Sequence, residues 1–127
     1  MAVPTDRKYL TSHEWHRPDA ENQTCTIGIT QFAADELTDI TYVDLPEVGT
    51  AVTAGEAFGE VESVKATSDL YCAFSGKVVE VNDTLNDDPS TVNSDPHEAA
   101  WMIRVEVDGD GQDLLDRDAY LKATGHD

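Results

Sequence analysis

Short runs of alternating apolar and polar residues dominate this chain, and they predict strands rather than long helices. Arg7-Lys8-Tyr9-Leu10 opens one strand. Ser12-His13-Glu14-Trp15 follows, and residues 17–22 have turn composition. Thr24 to Ile29 alternates, with Cys25, Ile27 and Ile29 on one side, so these runs predict a hairpin. The period then changes. Thr30 can cap a helix through its hydroxyl. Phe32, Ala33, Leu37 and Ile40 fall on one helical face, with Asp35, Glu36 and Asp39 outside, which predicts about three turns at ~3.6 residues per turn.

Residues 41–45 are β-branched and aromatic enough for a strand, closed by a turn at Pro46-Glu47-Val48-Gly49. Residues 57–62 and 66–71 read as two strands meeting at Val64-Lys65. Lys77-Val78-Val79-Glu80-Val81-Asn82 is another strand, residues 86–90 and 93–96 are loops or single turns, and residues 101–107 close the sheet. Asp108-Gly109-Asp110-Gly111 is read as a plain turn, because no bidentate Glu follows at calcium-loop spacing. Asp116 caps a last helix over residues 117–124, with Gly125 as its stop. The segments beginning at Val43 and Val79 echo one another on either side of Lys65. Each gives a short strand and then an acidic turn, which suits a flattened barrel of two related halves with the lysine turn at one end.

At 127 residues the chain is expected to form one domain, 1–127, with residues 1–6 as a loose arm. The net charge of -18, from 8 basic and 26 acidic residues, argues against nucleic acid or an anionic membrane as partner. The acids recur along the whole chain, which gives either plain solubility or adaptation to a high-salt cytoplasm. No 18-residue apolar run and no signal-peptide core is present, so a cytoplasmic protein is expected. Cys25 and Cys72 lack metal or redox spacing and are expected as buried free thiols. His13, His16, His97 and His126 are scattered, which suits surface or capping roles. No nucleophile elbow, phosphate loop or HExxH motif appears, so a carrier or binding module is expected rather than an enzyme.

Lys65 is one of four lysines and stands at a bend among Glu60, Glu62 and Asp69. Alone it is either a solvated loop lysine or one presented for covalent attachment. The segment GEAFGEVESVKATSDLY, Gly55 to Tyr71, resembles the lipoylation site of glycine cleavage system H proteins. Ser12-His13-Glu14-Trp15, Gly28-Ile29-Thr30, Leu45-Pro46-Glu47-Val48-Gly49, Ser75-Gly76-Lys77-Val78-Val79-Glu80-Val81-Asn82, Val92-Asn93 with Pro96, and Trp101 also match, in family order from about Tyr9 to Tyr120.

The resemblance implies a mainly β (α+β) fold, a flattened barrel-sandwich hybrid of two short antiparallel sheets with a lysine-bearing hairpin, an internal helix and a C-terminal helix. It implies lipoic acid in amide linkage to Lys65, attached by a lipoate ligase or lipoyltransferase. It implies a shuttle, acting as a co-substrate and expected as a monomer. The shuttle would carry an aminomethyl group from a pyridoxal-phosphate glycine decarboxylase to an aminomethyltransferase and be reoxidised by dihydrolipoyl dehydrogenase. Ser12, Glu14 and Asp69 are candidates for shielding the loaded arm; Glu60, Glu62, Ser63, Val64 and Ala66 are candidates for partner recognition. The chain departs from the family at Cys72-Ala73, where many members have Ala-Pro, and at Ala100, where a Gly often precedes the tryptophan. The rival readings are a lipoyl or biotinyl domain of another multienzyme complex, and an H-like protein that only relays lipoate or an unmodified binding module. Val64-Lys65-Ala66 and the flanking hairpin and terminal helix favour the shuttle over a lipoyl or biotinyl domain.

Overall fold

A computed structural model describes residues 6–19, 21–107, 111 and 114–124. The expected arm up to residue 5, the turn at residues 108–110 and the Gly125 stop lie outside the described residues.

Among the described residues, nine strands form two antiparallel sheets. A six-stranded sheet has the order β1 (Lys8–Tyr9), β2 (Glu14–Asp19), β3 (Thr24–Ile29), β9 (Ile103–Val107), β8 (Gly76–Val81) and β5 (Ala51–Val52). A three-stranded sheet has the order β4 (Ile40–Asp44), β6 (Ala57–Ser63) and β7 (Thr67–Tyr71). Four helical segments accompany them: α1 (Gln31–Leu37), the single turns α2 (Thr84–Asp87) and α3 (Thr91–Ser94), and α4 (Arg117–Thr124). The sheets do not close into a barrel. The two echoed segments fall in different sheets, β4 in the smaller and β8 in the larger.

The core lies between the sheets. Val43, Val61 and Leu70 of the small sheet pack with Ile29, Ala34, Leu85, Val92 and Met102. Ile27, Val78, Ile103 and Val105 of the large sheet pack with Cys25, Cys72, Ala73 and Phe74. Burying these side chains is the main stabilising term. A third cluster, Tyr9, Trp15, Tyr120 and Leu121, docks α4. Trp15 pairs with Gly28 across β2 and β3. A Cβ at position 28 would lie 2.6 Å from Trp15 Cζ2, so only glycine admits the indole. The indole N–H donates to Pro96 O at 2.9 Å, and the Arg7 guanidinium sits 4.6 Å from the ring centroid.

Two expectations about these elements are corrected. The turn expected at residues 17–22 begins later, because Arg17, Pro18 and Asp19 belong to β2. Pro18 is tolerated there because β1 ends opposite His16, so no strand flanks Pro18 on that side. The internal helix is shorter than three turns. Thr30 caps it through Ala33 N, but Thr38 turns to φ 63° and Ile40 starts β4. Asn93 ends the helix from across the fold: its Nδ2 donates to Thr38 O at 2.7 Å and its Oδ1 accepts from Ile40 N at 2.9 Å. In β3, the polar-side residues Thr26 and Gly28 are buried along with the apolar ones, under Arg104 and Trp15 respectively. Asp116 caps α4 as expected, its carboxylate accepting from Ala119 N at 2.8 Å.

Candidate functional site

β6 and β7 pair from Ala57↔Tyr71 at the foot of the hairpin to Glu62↔Thr67 near its tip. Val64, Lys65 and Ala66 make the turn without glycine. Ser63 supplies what the turn lacks. Its backbone N–H donates to Ala66 O at 2.8 Å, and its hydroxyl oxygen accepts from Lys65 N at 3.1 Å and Ala66 N at 3.0 Å. Val64 N donates to Asp39 O at 3.1 Å, which ties the tip to the end of α1. The Lys65 side chain is exposed, and its ammonium donates to the Glu36 backbone carbonyl at 3.1 Å. Among the described residues it makes no ion pair, although Glu60, Glu62 and Asp69 stand on the same hairpin. Val64 beside it is 70% exposed. The amine is therefore offered to solvent on a fixed base.

Ser12 and Glu14 sit at the foot of the hairpin, beside Tyr71, and Asp69, opposite Glu60, stands midway along it. Glu14 is not a surface acid: it is 1% exposed. One carboxylate oxygen accepts from the Ser12 hydroxyl and the other from Tyr71 N at 3.0 Å. Burial pushes its pKa up to about 7, against the lowering effect of those two bonds. The Tyr71 hydroxyl donates to Asp69 Oδ2 at 3.5 Å, and Asp69 is exposed. Ser12, Glu14, Tyr71 and Asp69 thus form one chain of contacts. Tyr71 is six positions from Lys65, roughly 20 Å along a strand, so Glu14 meets the hairpin at its foot while the amine stands at its tip. Glu60 and Ala66 are exposed, and Glu62 and Ser63 are half-buried.

The histidines are not all surface groups. His16 is fully buried, its Nε2 accepting from Ala73 N at 3.0 Å, and burial lowers its pKa to about 4. His97 does cap: its Nε2 accepts from Gln31 N, the first residue of α1, at 3.3 Å. His13 Nδ1 lies 2.6 Å from the Tyr120 hydroxyl and joins the bend before β2 to α4. His16 and Tyr120 are not among the sequence candidates. The signal available was the spacing of Glu14 and His16, two apart and so on one face of a strand.

Cys25 and Cys72 are free and buried, and burial pushes both thiols up, Cys72 to about 11. Cys72 accepts from Phe74 N at 3.4 Å, so the thiol near the arm's strand faces the core. Among the described residues no group of three His, Cys, Asp or Glu could hold a metal, and no helix is long and apolar enough to cross a membrane.

A small open sandwich of two antiparallel sheets that lifts one lysine on a stiff hairpin defines a carrier domain of the lipoyl type. The glycine cleavage H-protein family model matches residues 7–127. The glycine cleavage system H protein of Beutenbergia cavernae is 50% identical over 124 residues, covering 98% of each chain. The probable glycine cleavage system H protein of Haloarcula marismortui is 52% identical over 120 residues, covering 93% of each. The crystal structure of a glycine cleavage system H protein from Mycobacterium marinum superposes with a TM-score of 0.89 at 42% identity, covering 97% of this chain and 99% of that one. The chain belongs to the glycine cleavage H-protein family, and is a carrier of the glycine cleavage system.

Proposed function

We propose that Lys65 carries lipoic acid in amide linkage and that the chain acts as a co-substrate, not a catalyst. The observation that carries this reading is the Lys65 amine: exposed, outside any ion pair among the described residues, and mounted on a turn pinned by Ser63 and Asp39. The residues present fit the group. Acylation removes the ammonium charge, and the contact given up is one hydrogen bond to an exposed backbone carbonyl. The exposed Val64 side chain offers apolar surface beside the stem. When bound, the lipoyl group supplies a dithiolane that accepts and releases groups by thiol–disulfide chemistry.

The chain's own work is to hold and to shield. Ser63 and the β6–β7 ladder fix the base of the arm. Ser12 and Asp69, both exposed, offer a hydroxyl and a carboxylate on the path of a flexible arm, above the buried Glu14 that holds Ser12 and Tyr71 N, and a partly enclosed site there would keep water from its cargo. Glu60, Glu62, Ser63, Val64 and Ala66 present the tip to partner enzymes. Those partners are a lipoate ligase or lipoyltransferase, a pyridoxal-phosphate glycine decarboxylase, an aminomethyltransferase and dihydrolipoyl dehydrogenase. We place this carrier in the cytoplasm as a single monomeric domain. Glycine–bicarbonate exchange with glycine decarboxylase tests the reading. Exchange that depends on the lipoylated chain and vanishes with Lys65→Arg supports it; exchange sustained by Lys65→Arg refutes it.

A further inference from the structure

β7 is an edge strand. It pairs with β6 on one side, and among the described residues no backbone ladder joins the two sheets. Its N–H groups on the side away from β6 need other partners if they are buried. One of them, and a second donor two residues past the end of β7, find side chains of β2. Tyr71 N donates to Glu14 Oε2 at 3.0 Å, and Ala73 N donates to His16 Nε2 at 3.0 Å. Cys72 between them faces the other way, its carbonyl accepting from Gly55 N at 2.9 Å. The spacing matches on both segments: acceptors two apart on β2 meet donors two apart, one at the end of β7 and one just beyond it.

Both acceptors are themselves held. The Ser12 hydroxyl donates to the second Glu14 oxygen. His16 Nδ1 lies 3.4 Å from Glu14 O, which leaves Nε2 to accept. Glu14 and His16 are 1% and 0% exposed, so water does not replace either bond. We infer that Glu14 and His16 are positioning residues for Lys65: they take the place of a backbone ladder between the sheets and so set the angle at which the lysine hairpin stands on the large sheet. A side-chain clamp fixes that angle at two points, 14 to 71 and 16 to 73, where apolar packing alone leaves the hairpin free to rock. An enzyme that grips both the hairpin and the large sheet reads this angle when it acylates Lys65.

The inference rests on Lys65 as the acylated residue. Its test uses the full chain as acceptor for a lipoate ligase with lipoate and ATP, in wild type, His16→Phe and His16→Gln. His16→Phe keeps a ring and loses the acceptor; His16→Gln keeps an acceptor. The clamp requires His16→Phe to raise the KM for the chain roughly tenfold with kcat little changed, because a misplaced acceptor costs binding of the productive geometry. His16→Gln restores KM. On the bare chain, amide exchange at Ala73 accelerates in His16→Phe, while amides of β3 and β9 keep their protection. Equal KM values in all three proteins would reduce the clamp to a stabilising contact and overturn the inference. If His16→Phe does not fold, Glu14→Leu removes the Tyr71 acceptor together with the Ser12 contact that holds it, and is read the same way. A wild-type chain that is never acylated at Lys65 would instead refute the site, and this inference with it.

Discussion

The hydroxyl oxygen of Ser63 lies 3.1 Å from the backbone N of Lys65, and the same oxygen receives Ala66 N at 3.0 Å. One side chain thus closes a turn that contains neither glycine nor proline. Ser63→Ala removes that acceptor and leaves the two N–H groups to water. The expected cost is about 1 kcal/mol in urea unfolding, together with faster amide exchange at Lys65 and Ala66. Unchanged exchange at both amides would show that the β6–β7 ladder alone holds the tip.

Glu14 and His16 set opposing pH dependences. The pKa of Glu14 is raised from 4.5 to about 7, so the folded chain binds more protons than the unfolded one across that window, and stability falls as pH rises through it. The pKa of His16 is lowered from 6.5 to about 4, so the folded chain binds fewer protons there, and stability falls as pH drops through that window. The two slopes offset one another between pH 4.5 and 6.5. Glu14→Gln leaves the His16 slope, and its stability rises from about pH 4 to 6.5. His16→Gln leaves the Glu14 slope, and its stability falls from about pH 4.5 to 7. Each change is on the order of 1–3 kcal/mol. Urea midpoints measured against pH at constant salt check this. Two variants that both keep the wild-type profile would contradict it.

Like charges face one another across the small sheet. Asp44 pairs with Glu60, and Glu60 with Asp69, so three carboxylates make one row. Directly opposed like charges cost roughly 0.2–1 kcal/mol per pair, and the whole chain carries -18. Raising salt from about 0.1 M to about 1 M shortens the screening length from ~10 Å to ~3 Å. The melting temperature should therefore climb with potassium chloride. Glu60→Gln should raise it at low salt, with the gain shrinking at molar salt. A wild-type melting temperature indifferent to salt would argue against repulsion as a significant term.

What could be read from the sequence was local. The hairpin around Lys65 shows in the alternation about Val61 and Leu70, and both helix caps, Thr30 and Asp116, sit where their residue types belong. What could not be read depends on distant partners. Ile40 continues the helical period, yet the chain turns because Asn93, 53 positions away, receives its N–H. Pro18 looks like a turn residue until the two-residue length of β1 leaves its side of β2 open. Glu14 is one acid among 26 acidic residues. Only Tyr71 N, 57 positions away, identifies it as a buried acceptor. His16 is hidden in the same way, its donor being Ala73.

The most direct measurement is mass. The full chain is produced alongside a lipoate ligase with lipoate, its intact mass is recorded, and the modified peptide is sequenced, with Lys65→Arg in parallel. The expected result is one lipoyl group on the wild-type chain, on the peptide that contains Lys65, with Lys8, Lys77 and Lys122 bare and Lys65→Arg unmodified. A wild-type chain that stays bare, or a lipoyl group that persists on Lys65→Arg, would contradict the assignment of Lys65 as the carrier residue.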